Sequence, residues 1–238
     1  MRDPAFLDER DTADPEIFIL DCDNTLFDND RLKSDLDRRL RLLLGDQVLE
    51  QFWGVYEEVR MLTGTVDIPL TLERMRPYLR ADAALKQLQA VVMEYRFADC
   101  VYPDSLATLD YLRSIGLPAI VSDGDTIYQP IKIAGSGLAA AVDWRVLIFV
   151  HKEDHLEDIF LRWPAPHYIM VDDKQRILAA TKSRFPDRFV TVHVRQGHYG
   201  TAPESLIPAP DITIDAIGDL RRYRREHFTS YLRSGLGR

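Results

Sequence analysis

Ile17-Phe18-Ile19-Leu20-Asp21-Cys22-Asp23-Asn24-Thr25-Leu26-Phe27-Asp28 reads as a buried strand that ends on two acids. The apolar run Ile17–Leu20 has strand length and no polar interruption, as expected of a central strand covered on both faces of a parallel sheet. It stops at Asp21 and Asp23. Along extended chain, residues two apart share a side, so these carboxylates converge while Cys22 points away. Two carboxylates at the end of a buried strand repel each other, and unpaired buried charge is costly. Such a pair makes sense where a divalent cation binds and the two acids have separate chemical tasks. A strand end running into an Asx-rich turn is the plainer alternative, because Asp and Asn favour turns.

Working outward, 238 residues suit one α/β domain or a domain with a smaller insert. A formal net charge of -8 argues against a nucleic-acid-binding surface. Cys22 and Cys100 cannot form a disulfide framework or a thiolate zinc site alone, which favours a reducing compartment. Residues 1–16 are charged and lack the apolar core of a signal peptide, and no later run has the length of a membrane span. The expectation is a cytoplasmic protein with no membrane partner. Its oligomeric state is not legible.

After the acidic loop, Leu32, Leu36, Leu40 and Leu43 recur at helical spacing, with Gly45 as a stop. Asp46 is placed to cap a second helix that uses Leu49, Phe52, Tyr56 and Val59. Residues 63–70 read as a loop, followed by helices over 71–79 and 82–97. No strand is evident between residues 30 and 99, so this stretch reads as an inserted helical bundle. Beyond it, a helix with Leu106, Leu109, Leu112 and Ile115 ends at Gly116. Strands at 119–122, 146–150, 168–171, 189–194 and 211–214 mostly alternate with helices, two of these at 154–163 and 175–185. The pattern predicts a doubly wound parallel sheet with right-handed crossovers, a Rossmann-like core. The basic tail from residue 216, with Arg221, Arg222, Arg224 and Arg225, reads as an amphipathic helix with a solvated face.

In such a sheet, ligands sit outside the carboxyl ends of the strands, near the topological switch point. Those ends carry Asp21 and Asp23, then Ser122, then Lys152, then Asp172 and Asp173. Each has a dull explanation alone, as turn former, surface lysine or helix cap. In this order, each at a strand end, they describe one site.

The four positions together resemble the motifs of the haloacid dehalogenase-like superfamily, whose members are mostly phosphatases and phosphotransferases. The first motif, Asp-x-Asp-x-Thr, stands as Asp21-Cys22-Asp23-Asn24-Thr25. Ser122 in Ile-Val-Ser-Asp-Gly matches the second, Lys152 the third, and Asp172-Asp173 the fourth. The resemblance divides the chain into a Rossmann-like core (1–29 and 100–238) and a helical C1-type cap (30–99). Two departures stand out. Glu153 follows the lysine where many members have proline, and Arg176 and Ile177 stand where a further acid is common.

The resemblance implies that Asp21 attacks phosphorus to form an aspartyl-phosphate, while Asp23 protonates the leaving oxygen and later activates water. It implies Mg²⁺ held by Asp21, Asp23 through its backbone carbonyl, and one or both of Asp172 and Asp173. Lys152 would neutralise the nucleophile and the phosphoryl oxygens, with Thr25, Ser122, Asp123 and Gly124 around the phosphate. Family members that cleave carbon–halogen bonds lack the second acid, so Asp23 favours an oxygen leaving group. A phosphohydrolase acting on a small phosphorylated metabolite is therefore expected. A phosphomutase or other phosphotransferase, and a non-catalytic binding protein on the same scaffold, remain the alternatives. Cap arginines (Arg31, Arg38, Arg60, Arg74, Arg76) could read a second anionic group, although exposed helix pairs are the simpler account.

Overall fold

Ile17–Leu20 forms β1 at the middle of a six-stranded, wholly parallel sheet. The computed structural model describes residues 16–203 and 206–235, so the charged segment 1–15 lies outside the described residues. The remaining strands are β2 (Leu117–Asp123), β3 (Val146–Phe149), β4 (Tyr168–Asp172), β5 (Phe189–Val194) and β6 (Ile212–Ile214). Their spatial order is β3-β2-β1-β4-β5-β6. Each occupies a stretch predicted as strand. The largest difference is at β2, which starts two residues early because the Leu117 N–H donates to the Glu16 carbonyl at 2.8 Å.

Alternation along β1 sends Phe18 and Leu20 into one core and Ile17 and Ile19 into the other. All four are at most 1% exposed, as a strand covered on both faces requires. The chain runs from β1 to β2 and β3 on one side, then returns to place β4 on the other side of β1. The switch point is the β1–β4 boundary, where the Asp21 N–H donates to the Val171 carbonyl at 2.9 Å.

Four helices intervene between β1 and the helix that leads into β2. They are α1 (Asn29–Leu44), α2 (Asp46–Thr63), α3 (Ile68–Arg74) and α4 (Asp82–Met93), followed by α5 (Ser105–Ile115). Among the described residues, none between 30 and 99 is in a strand. Local chemistry adjusts the predicted bounds. Gly45, at φ +74°, ends α1 and caps α2, leaving Asp46 as the first residue of α2 rather than its cap. Pro69 fits the first turn of α3, and the Asp67 side chain accepts from the Leu70 N–H at 2.8 Å, so the 63–70 loop shrinks to 64–67. The predicted 71–79 helix gives way to α3 and a 3₁₀ turn at Arg76–Tyr78. Leu106 is 48% exposed, since α5 buries Ser105, Thr108, Leu109 and Leu112 instead.

The two helices that link β2 to β3, α6 (Tyr128–Gly135) and α7 (Leu138–Ala141), were not legible. They are followed by α8 (Leu156–Arg162), α9 (Gln175–Arg184), α10 (Gly197–Gly200) and α11 (Arg225–Gly235). The tail is not one solvated helix. A 3₁₀ turn at Ile217–Arg222 precedes α11, and Phe228 is fully buried, its ring edge-on to Phe18 at 5.3 Å. No helix among the described residues is long and apolar enough to cross a membrane.

The tail thus completes the core beneath β1. Phe228→Ala is expected to cost about 3–5 kcal/mol in urea unfolding followed by circular dichroism. Arg222→Ala, at a side chain 81% exposed, is expected to stay within about 0.5 kcal/mol. Equal effects would mean that the tail is a solvated face after all.

Candidate active site

The carboxyl ends of β1, β2 and β4, with the turn after β3, converge on a buried lysine. Lys152 opens a 3₁₀ turn after β3 and is 1% exposed. Its Nζ donates to Asp21 Oδ1, stands 2.7 Å from Asp172 Oδ2, and donates to the Val121 carbonyl at 3.1 Å. Its own N–H donates to Asp123 Oδ1 at 2.8 Å, so Asp123 anchors the lysine turn from the end of β2. Burial works against the ammonium charge, yet Asp172 and Asp21 hold Lys152 protonated above the usual lysine range.

One lysine does not neutralise this group of acids. Asp21, Asp172 and Asp173 each offer an oxygen within 4.8 Å of the others, and all three are at most 3% exposed. Asp21 Oδ2 and both Asp173 oxygens are buried without a hydrogen-bond partner. Burial, followed by the Asp172 and Asp21 charges, pushes the Asp173 carboxyl up to about 9. Burial likewise pushes Asp21 up to about 7, against the opposing pull of Lys152. Converging, unpartnered carboxylate oxygens are the donor set of a hard divalent cation, so the residues present fit Mg²⁺.

Asp23 does not join them. Its side chain is 25% exposed and faces Lys132 of α6, whose Nζ lies 2.5 Å from Asp23 Oδ1. Lys132 is 2% exposed. Burial is the largest single influence and opposes its charge, but the Asp23 carboxylate together with Cys22 and Tyr56 raises Lys132 above the usual range. Gln129, one turn earlier, donates to Ser122 Oγ at 2.8 Å and to Asp23 Oδ2 at 3.4 Å. The two acids of the opening stretch thus diverge, each facing its own buried lysine. The extended geometry that would make them converge ends with β1 at Leu20, and the chain turns just after them at Asn24, which sits at φ +59°.

The residues expected around a phosphate fall into two groups. Ser122 accepts from Gln129, which leaves its own O–H free to donate. The Gly124 N–H is engaged by the Phe149 carbonyl at 3.0 Å, so Gly124 does not offer it to a ligand. A Cβ at Gly124 would stand 3.1 Å from Gln129, and glycine there keeps room for the Gln129 bridge. Thr25 is fully buried under the loop and away from the cavity wall, which makes it part of the turn rather than a phosphate contact.

A cavity of about 370 Å³ lies above this floor, bounded below by Asp23, Asp123, Asp173 and Lys174 and above by α1 and α2. Direct contacts tie the helical block to the sheet around it. The Ile68 N–H donates to Asp125 Oδ2 at 3.4 Å, and the His198 N–H of α10 donates to Asp30 Oδ2 at 2.9 Å, with its Nδ1 2.6 Å from Asp30 Oδ1. Gly197, at φ +62°, lets α10 sit against Asn24, where a Cβ would come within 2.6 Å of three side-chain atoms. Lys132, Gln129 and His198 were not singled out from the sequence. The first two lie on α6, and the Gly197-His198-Tyr199-Gly200 turn was too short a signal.

The arginines of the helical block are mostly paired on its surface: Arg38 with Asp35, Arg74 with Glu58, Arg76 with Asp82. Only Arg60 of the five reaches the cavity wall. His155 stacks on Phe149 and pairs with Asp158, away from the acids. The two departures from the motif pattern meet each other, with Arg176 Nη1 2.5 Å from Glu153 Oε1.

No family model matches the chain, and neither does any curated protein sequence. Solved structures do. A haloacid dehalogenase-like hydrolase from Burkholderia xenovorans LB400 is 41% identical, with a TM-score of 0.81 over 88% of this chain and 99% of its own. The L-2-haloacid dehalogenase from Xanthobacter autotrophicus is 20% identical, with a TM-score of 0.59 over 87% of this chain and 97% of its own. The HAD-hydrolase YfnB from Bacillus subtilis, bound to magnesium, is 14% identical, with a TM-score of 0.59 over 88% of this chain and 98% of its own. The last two share the fold.

Asp21 and Asp173 bind protons more tightly folded than unfolded, so their contribution to stability is complete below the ordinary carboxylate range. It falls as pH rises through about 7 and then about 9. In EDTA, the melting temperature should therefore decline as pH rises from about 6 to about 9. Excess Mg²⁺ should raise it, more at the alkaline end, because the cation displaces those protons. A Mg²⁺ effect equal at both ends, or none, would remove the acids from cation binding.

Proposed function

Because this chain belongs to the haloacid dehalogenase-like superfamily of hydrolases, we propose that it is a Mg²⁺-dependent phosphohydrolase acting on a small phosphate monoester. The observation that carries this is the pairing of two features at one cavity floor. Of three clustered buried acids, Asp21 and Asp173 have oxygens left without partners, and a fourth acid, Asp23, stands apart from them, partly open to the cavity. Residues 30–99 act as the cap over a core made of residues 1–29 and 100–238.

In the first step Asp21 attacks phosphorus, forming the aspartyl-phosphate as the bond to the ester oxygen breaks. Asp23 delivers a proton to that departing oxygen, so the alcohol leaves neutral. In the second step Asp23 takes a proton from water, whose oxygen attacks phosphorus. Inorganic phosphate leaves and Asp21 is regenerated. Lys152 lies against Asp21 Oδ1, which fixes the nucleophile and leaves its Oδ2 without a protein partner. The Ser122 O–H donates to a phosphoryl oxygen. Asp21, Asp172, Asp173 and the Asp23 carbonyl would hold Mg²⁺, which supplies positive charge to draw an anionic ester onto an acidic floor. Lys132 and Gln129 hold the Asp23 carboxylate in one place between its two proton transfers. The cap excludes bulk water during the first step.

An oxygen leaving group needs this acid and a halide does not, which favours phosphate-ester hydrolysis over carbon–halogen cleavage. With p-nitrophenyl phosphate and a panel of phosphate monoesters, turnover should require Mg²⁺ and vanish in Asp21→Asn. Asp23→Asn should lower kcat by about 10²–10⁴-fold on alkyl esters, where the leaving oxygen most needs its proton. Halide release from 2-chloropropionate, with no ester in the panel cleaved, would overturn the assignment.

A further inference from the structure

The roof of the cavity is more apolar and aromatic than phosphoryl transfer requires. Leu32 and Leu36 of α1 line it, and so do Trp53 and Tyr56 of α2, spacings that keep each pair on one helix face. The Trp53 indole is fixed, its Nε1–H donating to Asp37 at 2.9 Å. Its ring lies edge-on to Tyr56 at 5.4 Å, so the two form a rigid aromatic corner. Val66 and Ile68 continue this surface beyond α2, and Tyr128 of α6 also lines the cavity.

One charge sits in this apolar surround. Lys33 of α1 lines the cavity, with Nζ 5.1 Å from the centre of the Tyr56 ring. Three other lining cations have carboxylates close by: Arg60 is 3.3 Å from Glu57, Arg176 pairs with Glu153 and Lys132 pairs with Asp23. Lys174, with Nζ 5.4 Å from the centre of the Tyr199 ring, belongs to the floor, where the charges of Asp21 and Asp172 act on it. Among the described residues, no carboxylate lies within ion-pair distance of Lys33. An ammonium held over a ring, at the edge of apolar surface and facing a cavity, is a counter-ion position.

We propose that the roof is a substrate subsite for an aromatic or branched apolar body carrying a second anionic group, such as a carboxylate, which pairs with Lys33. This rests on the phosphohydrolase assignment for the other end of the substrate. The body packs against Trp53 and Tyr56, and the phosphoryl group reaches the acids below. A volume of about 370 Å³ lies near the small end of ligand pockets, so the whole substrate is a compact metabolite.

Three esters test this: glycerol phosphate, phenyl phosphate and 4-carboxyphenyl phosphate. For the wild-type chain with Mg²⁺, kcat/KM should rise in that order, by about tenfold at each step. In Lys33→Met the preference for the carboxylated over the plain aryl ester should collapse about tenfold, through KM rather than kcat, and Lys33→Arg should retain it. In Trp53→Ala the preference for phenyl over glycerol phosphate should shrink. Trp53 fluorescence quenched by 4-hydroxybenzoate in the wild-type chain, and less in Lys33→Met, would report the subsite without turnover. Aryl and glycerol esters cleaved alike, with Lys33→Met leaving their ratios unmoved, would overturn the subsite while leaving the phosphohydrolase assignment intact. No cleavage of any ester, with 4-hydroxybenzoate still quenching, would instead strike at the phosphoryl chemistry.

Discussion

The whole site depends on one buried ammonium group. Lys152 Nζ touches Asp21 at the end of β1 and Asp172 at the end of β4, and donates to a carbonyl of β2. Three strands far apart in the chain are thereby fixed at their carboxyl ends by a single cation. A lysine taken this deep loses its water, and only opposite charges close at hand make up for the loss. The acids face the same problem with the sign reversed. They exceed the lysine in number, and the imbalance is visible as carboxylate oxygens with nothing to bond. A fold that keeps surplus carboxyl groups in its interior suits a positive ligand that can displace their protons, and stability is what it gives up.

The opening acids illustrate how neighbouring residues acquire different work. Asp21 and Asp23 are separated by one residue, yet Asp21 is 3% exposed and the Asp23 side chain is 25% exposed. Asn24 in a left-handed conformation turns the chain immediately after them, and the two side chains part toward different lysines. A nucleophile profits from a dry, fixed environment beside a cation. A proton carrier needs access to the leaving group and to water. In the proposed mechanism, environment and not residue type divides these roles.

Much of the floor was legible because strand ends follow from local pattern. An apolar run that stops at an acid or runs into a polar turn fixes both the strand and the residues presented at its end, and Asp21, Lys152 and Asp172 meet there, while Ser122 at the end of β2 is joined to Asp23 through Gln129. The helix-borne residues were not legible. Gln129 and Lys132 lie in a segment where Pro130 and a buried lysine obscure the amphipathic period, so neither α6 nor its role could be read. The tail misled in the opposite way, because four arginines hid one aromatic ring that belongs to the core. The departures from the motif pattern, Glu153 and Arg176, looked unrelated in sequence and are partners in space. An arginine where an acid is common brings its own counter-charge from the turn that carries Lys152.

Floor and roof therefore obey different rules. On the floor, charge is fixed by backbone: each functional group leaves the end of a strand or the turn beside it, and the sheet sets the distances. On the roof, side chains lie along helices whose apolar residues face both the block's own core and the cavity, and only the folded chain separates the two. Phe52 and Trp53 are adjacent in α2 and ring-packed at 5.0 Å, yet Phe52 is 1% exposed while Trp53 is only partly buried. Helical periodicity assigns such residues to an interior without saying which surface they complete. On the proposed reading, the chemistry of this chain is therefore written in its strand ends, and its selectivity in helix faces that become readable only once the block has closed over the sheet.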